Sequence, residues 1–117
     1  MSQNLEQLRA SSALAQADKT RQQPGEGNCL SGYPSLIINN GLLAALAFSL
    51  DKQKQHLRVA DAIATHLHQR RVVPQPGAGG PGAKLLLDAL SKADSFTLRR
   101  ATDEALAFLA YLKRFAK

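Results

Sequence analysis

The chain has no tryptophan, a single cysteine and a single methionine, and its aromatic residues amount to only 5%. The lone Cys29 can close no internal disulfide and has no CxxC partner. That excludes a disulfide scaffold and leaves a reducing cytoplasm as the default compartment. Long apolar runs are missing too: the longest, Gly41 to Phe48, falls far short of the roughly 20 residues needed to span a bilayer. Near the N-terminus Glu6 and several glutamines stand where a signal peptide needs an unbroken apolar stretch. Neither export nor membrane insertion is expected. Acidic residues are also scarce: 9 Asp plus Glu face 15 Lys plus Arg, a net charge of +6 with a pI near 9.9. A positive field of that kind favours an anionic partner, nucleic acid being the commonest.

What is present is a chain of 117 residues, 44% apolar, a length and composition suited to one folded domain over residues 1–117. Two stretches rich in Pro and Gly, near 22–32 and 74–82, punctuate the pattern and are expected to be loops. Elsewhere Ala and Leu dominate over Val, Ile and Thr, which predicts an all-α bundle of five or six helices. The clearest helix runs from about Phe96 to Ala116, where Leu98, Ala101, Ala105, Phe108, Leu109, Leu112 and Phe115 recur at spacings of three and four. Asp94 or Ser95 marks its start, and Lys113, Arg114 and Lys117 sit where the helix dipole favours cations. An earlier helix, Asn4 to Arg21, carries a shallow apolar side of Leu5, Leu8, Ser12 and Ala15. Leu57, Ala60, Ile63, Ala64 and Leu67 define a further helix ending at Arg70 or Arg71, and a short one spans Ala83 to Ala93. Between Ser35 and Phe48, Asn40-Gly41 fits either a two-residue hairpin or the junction of two short helices, and the Leu-rich run after it favours the helices.

No constellation of catalytic residues emerges. The glycine loop ending at Lys84 lacks a preceding strand and the Gly-Lys-Ser/Thr signature, and Pro74, Pro76 and Pro81 remove amide donors, so it is expected to be a linker rather than a phosphate cradle. His56, His66 and His68 point to different faces or turns of a helix and predict no metal site; exposed or partly packed rings are expected. Cys29 as a nucleophile needs a histidine and an acid folded onto it, and nothing in the sequence singles out such a pair. Asp103 and Glu104, beside Arg99 and Arg100 at helical spacing, are expected to form surface ion pairs. No catalytic residue, metal or cofactor is therefore expected.

The basic residues remain as the candidate site. Arg58, Arg70, Arg71, Arg99, Arg100, Lys113, Arg114 and Lys117 cluster at predicted helix ends, where they suit phosphate oxygens without reading sequence. Projected at about 100° per residue, Arg99, Arg100, Asp103, Ala107, Ala110 and Arg114 fall on the side of the last helix away from its apolar stripe. Two small residues among arginines make a flat face that another helix or an RNA backbone can approach.

Two blocks carry a family resemblance: PSLIINNGLLAALAF, from Pro34 to Phe48, and ATDEALAFLAYLKRFA, from Ala101 to Ala116. Together they cover about a quarter of the chain and resemble the small, fifth subunit of the Cmr-type (type III-B) CRISPR effector complex. The resemblance implies an all-α fold in which the Asn-Gly-Leu stretch is helical. It implies a non-catalytic subunit whose partners are the backbone subunits, copies of itself, guide RNA and target RNA. The segment Gln22 to Gly32 holds no Lys or Arg, where relatives are often Lys-rich, and the Pro/Gly loop has no match in the family pattern. A free-standing basic helical nucleic-acid binder is the alternative, and a small hydrolase using Cys29 or a histidine a more distant one.

Overall fold

The structure is a computed structural model, and it describes residues 4–25, 27, 29–73 and 82–116. Six helices follow one another: α1 Leu5–Thr20, α2 Tyr33–Asn40, α3 Leu42–Lys52, α4 Lys54–Gln69, α5 Gly82–Ser91 and α6 Ser95–Phe115. All described regular structure is helical, as expected. None of these helices is long and apolar enough to cross a membrane.

Local chemistry sets most of the boundaries. Asn4 caps α1 reciprocally with Gln7: the Gln7 N–H donates to Asn4 Oδ1 at 2.8 Å and the Asn4 N–H to Gln7 Oε1 at 2.9 Å. Pro34 sits in the first turn of α2, where an amide donor is not needed. Gly41 closes α2 and opens α3 as a single shared residue: its N–H reaches the Ile37 carbonyl at 2.7 Å and its own carbonyl accepts from the Ala45 N–H at 3.1 Å. Its φ of +92° favours glycine. The hairpin alternative for Asn40-Gly41 is thereby excluded. Asp94, rather than Ser95, caps α6 by accepting from the Thr97 N–H at 2.7 Å.

α4 ends in a Schellman turn: the Val72 N–H bonds the Leu67 carbonyl and the Arg71 N–H the His68 carbonyl, both at 3.0 Å, with Leu67 and Val72 buried. The left-handed position of this turn, usually glycine, is held by Arg71 at φ +57°. Residues 74–81 of the expected Pro/Gly loop lie outside the described residues. Gly82, its expected last residue, instead begins α5. The reason is local: the Ala83 N–H finds a cap in Asp61 Oδ1 at 2.9 Å, and a Cβ on Gly82 would meet the Ala64 Cβ at 3.3 Å.

α4 runs through the middle of the bundle, touching α1, α3, α5 and α6. Its Val59, Ile63 and Leu67 are buried together with Ile37, Leu42, Leu46, Leu86, Leu90, Phe108, Leu109 and Leu112. Tyr33 is buried as well; its hydroxyl shares a 2.6 Å hydrogen bond with Ser49, and burial pushes its pKa up to about 12. The Gln55 amide, also buried, donates to the Thr20 carbonyl at 2.9 Å and accepts from the Cys29 N–H at 3.0 Å, tying the segment after α1 to α4. The inward side of α1 differs from the expected one: it buries Ser12, Ala13, Ala17 and Thr20, while Leu5 and Ala15 are exposed. Small side chains let α1 seat closely on α6, so large apolar residues do not mark its inward side.

Candidate nucleic-acid interface

α6 carries charged residues on two faces with opposite fates. Its inward stripe, Ala101, Ala105, Phe108, Leu109 and Leu112, also contains Glu104, whose side chain is 8% exposed. Two helices answer that carboxylate. From α1, Arg9 donates through Nε to Oε2 at 2.9 Å and through Nη2 to Oε1 at 3.0 Å. From α4, His66 Nε2 lies 2.8 Å from Oε2, and beyond α4's end Arg70 Nε stands 4.0 Å away. A carboxylate only accepts, so His66 carries its proton on Nε2, and its buried Nδ1 has no hydrogen-bond partner among the described residues. The ring is 1% exposed and stacks on Phe108 with centroids 4.5 Å apart.

These neighbours set the protonation states. Burial pushes the Glu104 pKa up, but hydrogen bonds from Arg9 and then His66 outweigh it and hold the carboxyl below its ordinary range. Burial lowers the pKa of His66 against the opposing pull of Glu104, so the ring stays neutral. Two expectations are corrected here. Glu104 is not a surface ion-pairing residue, and His66 and His68 are buried rather than exposed or partly packed. Periodicity held the signal for both: Glu104 lies three residues after Ala101 and four before Phe108, and His66 three after Ile63, so each falls inside an apolar stripe.

The outward face of α6 behaves differently. Arg99, Arg100, Asp103, Ala110 and Arg114 are exposed and Ala107 half-buried. Neither arginine pairs with Asp103 or Glu104 among the described residues. An arginine N-terminal to its acid at i,i+4 is the less favourable orientation along a helix, and Glu104 is already claimed by Arg9. Lys113 is half-buried in the last turn, and Lys117 lies outside the described residues. Arg71 is exposed at the Schellman turn.

The structure divides the remaining candidates by what they touch. Arg58 closes the end of α1, donating from Nε to the Lys19 carbonyl at 2.7 Å and from Nη2 to the Arg21 carbonyl at 3.3 Å. Arg70 is drawn toward Glu104 and its Nε is buried. Both are thus engaged inside the fold, whereas Arg71, Arg99, Arg100 and Arg114 project from it. Arg9 went unnoticed in the sequence because nothing in α1 hints at a carboxylate waiting on α6.

Two concavities accompany these charges. One of about 440 Å³ lies at the α3–α4 junction, between Cys29, Lys52, Lys54 and His56. The other, about 300 Å³, opens beside the start of α6 and is lined by Arg9, Phe96, Arg99, Arg100, Asp103 and Glu104. No group of three or more His, Cys, Asp and Glu side chains that could hold a metal ion occurs among the described residues.

Comparison with known proteins identifies the family. The family model for CRISPR-associated protein Cas_Cmr5 matches residues 5–117. The chain belongs to the Cmr5 family. The resemblance seen in the two sequence blocks therefore extends across nearly the whole chain, including α1 and α5, which those blocks do not cover. Among solved structures, it is similar to the crystal structure of a CRISPR-associated Cmr5 family protein from Thermus thermophilus. That match has 25% sequence identity and a TM-score of 0.73, and covers 97% of this chain and 96% of the Thermus protein. No curated protein sequence matches significantly.

Proposed function

We propose that this Cmr5-family chain is a non-catalytic small subunit of a cytoplasmic type III-B CRISPR interference complex. It assembles along the backbone subunits and copies of itself, and helps hold target RNA against guide RNA. The observation that carries the reading is the outward face of α6, where Arg99, Arg100 and Arg114 are exposed and without ion-pair partners among the described residues. Unpaired guanidiniums neutralise phosphates with no prior bond to break, and counterion release makes such a grip dependent on salt and indifferent to sequence. Ala107 and Ala110, between the arginines, keep that face low enough for a neighbouring helix or a ribose-phosphate backbone to approach. Lys113 lies half-buried in the last turn of the same helix, and Arg71 adds an exposed cation at the end of α4.

The test is affinity purification of the tagged chain from its native cell, with identification of co-purifying proteins and sizing of bound RNA. The expected result is a large assembly holding short RNAs with a common repeat-derived end. Recovery of the chain alone, without guide RNA even at low salt, overturns the subunit reading and favours a free-standing nucleic-acid binder.

A further inference from the structure

Phe96 is 74% exposed, the most exposed of the large apolar side chains among the described residues. An isolated surface aromatic calls for no explanation, but this one is not isolated. Phe96, Arg99, Arg100 and Asp103 occupy positions i, i+3, i+4 and i+7 of α6 and so share one continuous helix face. Together they line the 300 Å³ cleft whose remaining wall is the Arg9–Glu104 pair. That pair is mutually neutralised, so the charge open to a ligand comes from one carboxylate and two guanidiniums without ion-pair partners among the described residues. An apolar ring with a free face, cations within one helical turn and a hydrogen-bond acceptor beyond them match the three parts of a nucleotide.

We propose that this cleft is a nucleobase subsite. An unpaired base of a single-stranded nucleic acid stacks on the Phe96 ring, its adjoining phosphates lie on Arg99 and Arg100, and Asp103 accepts from an exocyclic amine when the base carries one. Stacking is available to every base, so the subsite adds affinity and register without strict sequence choice. The inference rests on the phosphate-gripping reading of the same face but goes further, since phosphate contact alone has no use for Phe96. It concerns the start of α6, where Phe96 stands exposed, rather than Arg114 near its end.

The test is a titration of the full chain followed by nuclear magnetic resonance, with hexaadenylate and linear hexaphosphate as probes. Hexaphosphate presents charge without bases. Hexaadenylate is expected to move the Phe96 ring resonances upfield and hexaphosphate to leave them in place. Phe96→Ala should weaken hexaadenylate binding by roughly fivefold or more, the least expected for one lost base stack, with hexaphosphate affinity unchanged. Phe96→Trp should restore the binding, and thermal unfolding should show both variants folded, as expected for so exposed a side chain.

Hexaadenylate binding indifferent to Phe96→Ala, yet weakened together with hexaphosphate by Arg99→Glu/Arg100→Glu, overturns the nucleobase subsite and leaves the phosphate grip standing. Failure of the unaltered chain to bind either probe at millimolar concentration overturns both. If Phe96→Ala keeps hexaadenylate but sheds a protein subunit from the affinity-purified assembly, the ring belongs to a protein contact and the proposal falls.

Discussion

Asp103 and Glu104 stand side by side on α6, yet Glu104 lies among Arg9, His66 and Arg70 while Asp103 faces solvent beside two arginines that do not pair with it. The inner cluster draws charges from three parts of the chain and uses their hydrogen bonds to hold helices together. The outer face is built from one helix, and its arginines have no ion-pair partner among the described residues. The two faces differ in partners rather than in residue type. A charge whose hydrogen bonds are already used inside the fold contributes stability, and one without a partner is available to a ligand.

The largest expected effect comes from emptying the inner cluster. Glu104→Ala leaves Arg9 without its carboxylate and His66 without its acceptor, and should destabilise the fold by about 3 kcal/mol, as loss of one partner from a buried pair does. Chemical denaturation followed by circular dichroism reads it. The comparison is broken if the loss is no greater than for Asp103→Ala.

Acid should unpick the same cluster. In the unfolded chain His66 takes up a proton near its ordinary 6.5, whereas burial lowers its folded value despite Glu104. Acidification from neutral pH therefore favours the unfolded state through the window from about 6.5 down to that folded value. Glu104, held below its ordinary 4.5 by Arg9 and His66, adds stability that is present above 4.5 and lost as the pH falls through its folded value. His56, lowered by burial and by Lys52, contributes in the same direction. The melting temperature should fall from pH 7 to 4, and His66→Gln should flatten its slope between pH 7 and 5.

Arg71 sharpens the comparison from the other side. It holds a left-handed position that glycine would occupy with less strain, and it projects from the fold. Arg71→Gly should stabilise the protein by about 0.5 kcal/mol, the relieved strain being partly offset by a more flexible unfolded chain. RNA retention should weaken at the same time. A stabilised variant with unchanged RNA retention would remove Arg71 from the interface.

Much of the architecture was legible in the sequence. The α6 stripe, a cap at Asp94 or Ser95 and a preference for a helix junction at Gly41 each follow from local rules, because spacing and capping act over three or four residues. The blocks Pro34 to Phe48 and Ala101 to Ala116 led to the right family while matching only about a quarter of the chain. The inner cluster was not legible in the same way. Arg9 and Glu104 are far apart in sequence, and the acidic residue could be assigned to its nearest arginines as readily as to a distant one. The apolar stripe offered the corrective, since a carboxylate within it must find a partner on another helix. On α1, the small residues Ala13 and Ala17 mark the inward face, and a search for large apolar residues passes over them. Phe96 was hidden by its position, because the first turn of a helix is a common place for an aromatic that packs.

The most direct measurement is the salt dependence of single-stranded RNA affinity for the chain and for Arg99→Glu/Arg100→Glu/Arg114→Glu, with melting temperatures taken alongside. Three lost phosphate contacts should make the slope of log affinity against log salt shallower by roughly 2, while the melting temperature stays where it was. An unchanged slope, or a slope that changes only because the variant has unfolded, would contradict the division between a charged interior that stabilises and a charged exterior that binds.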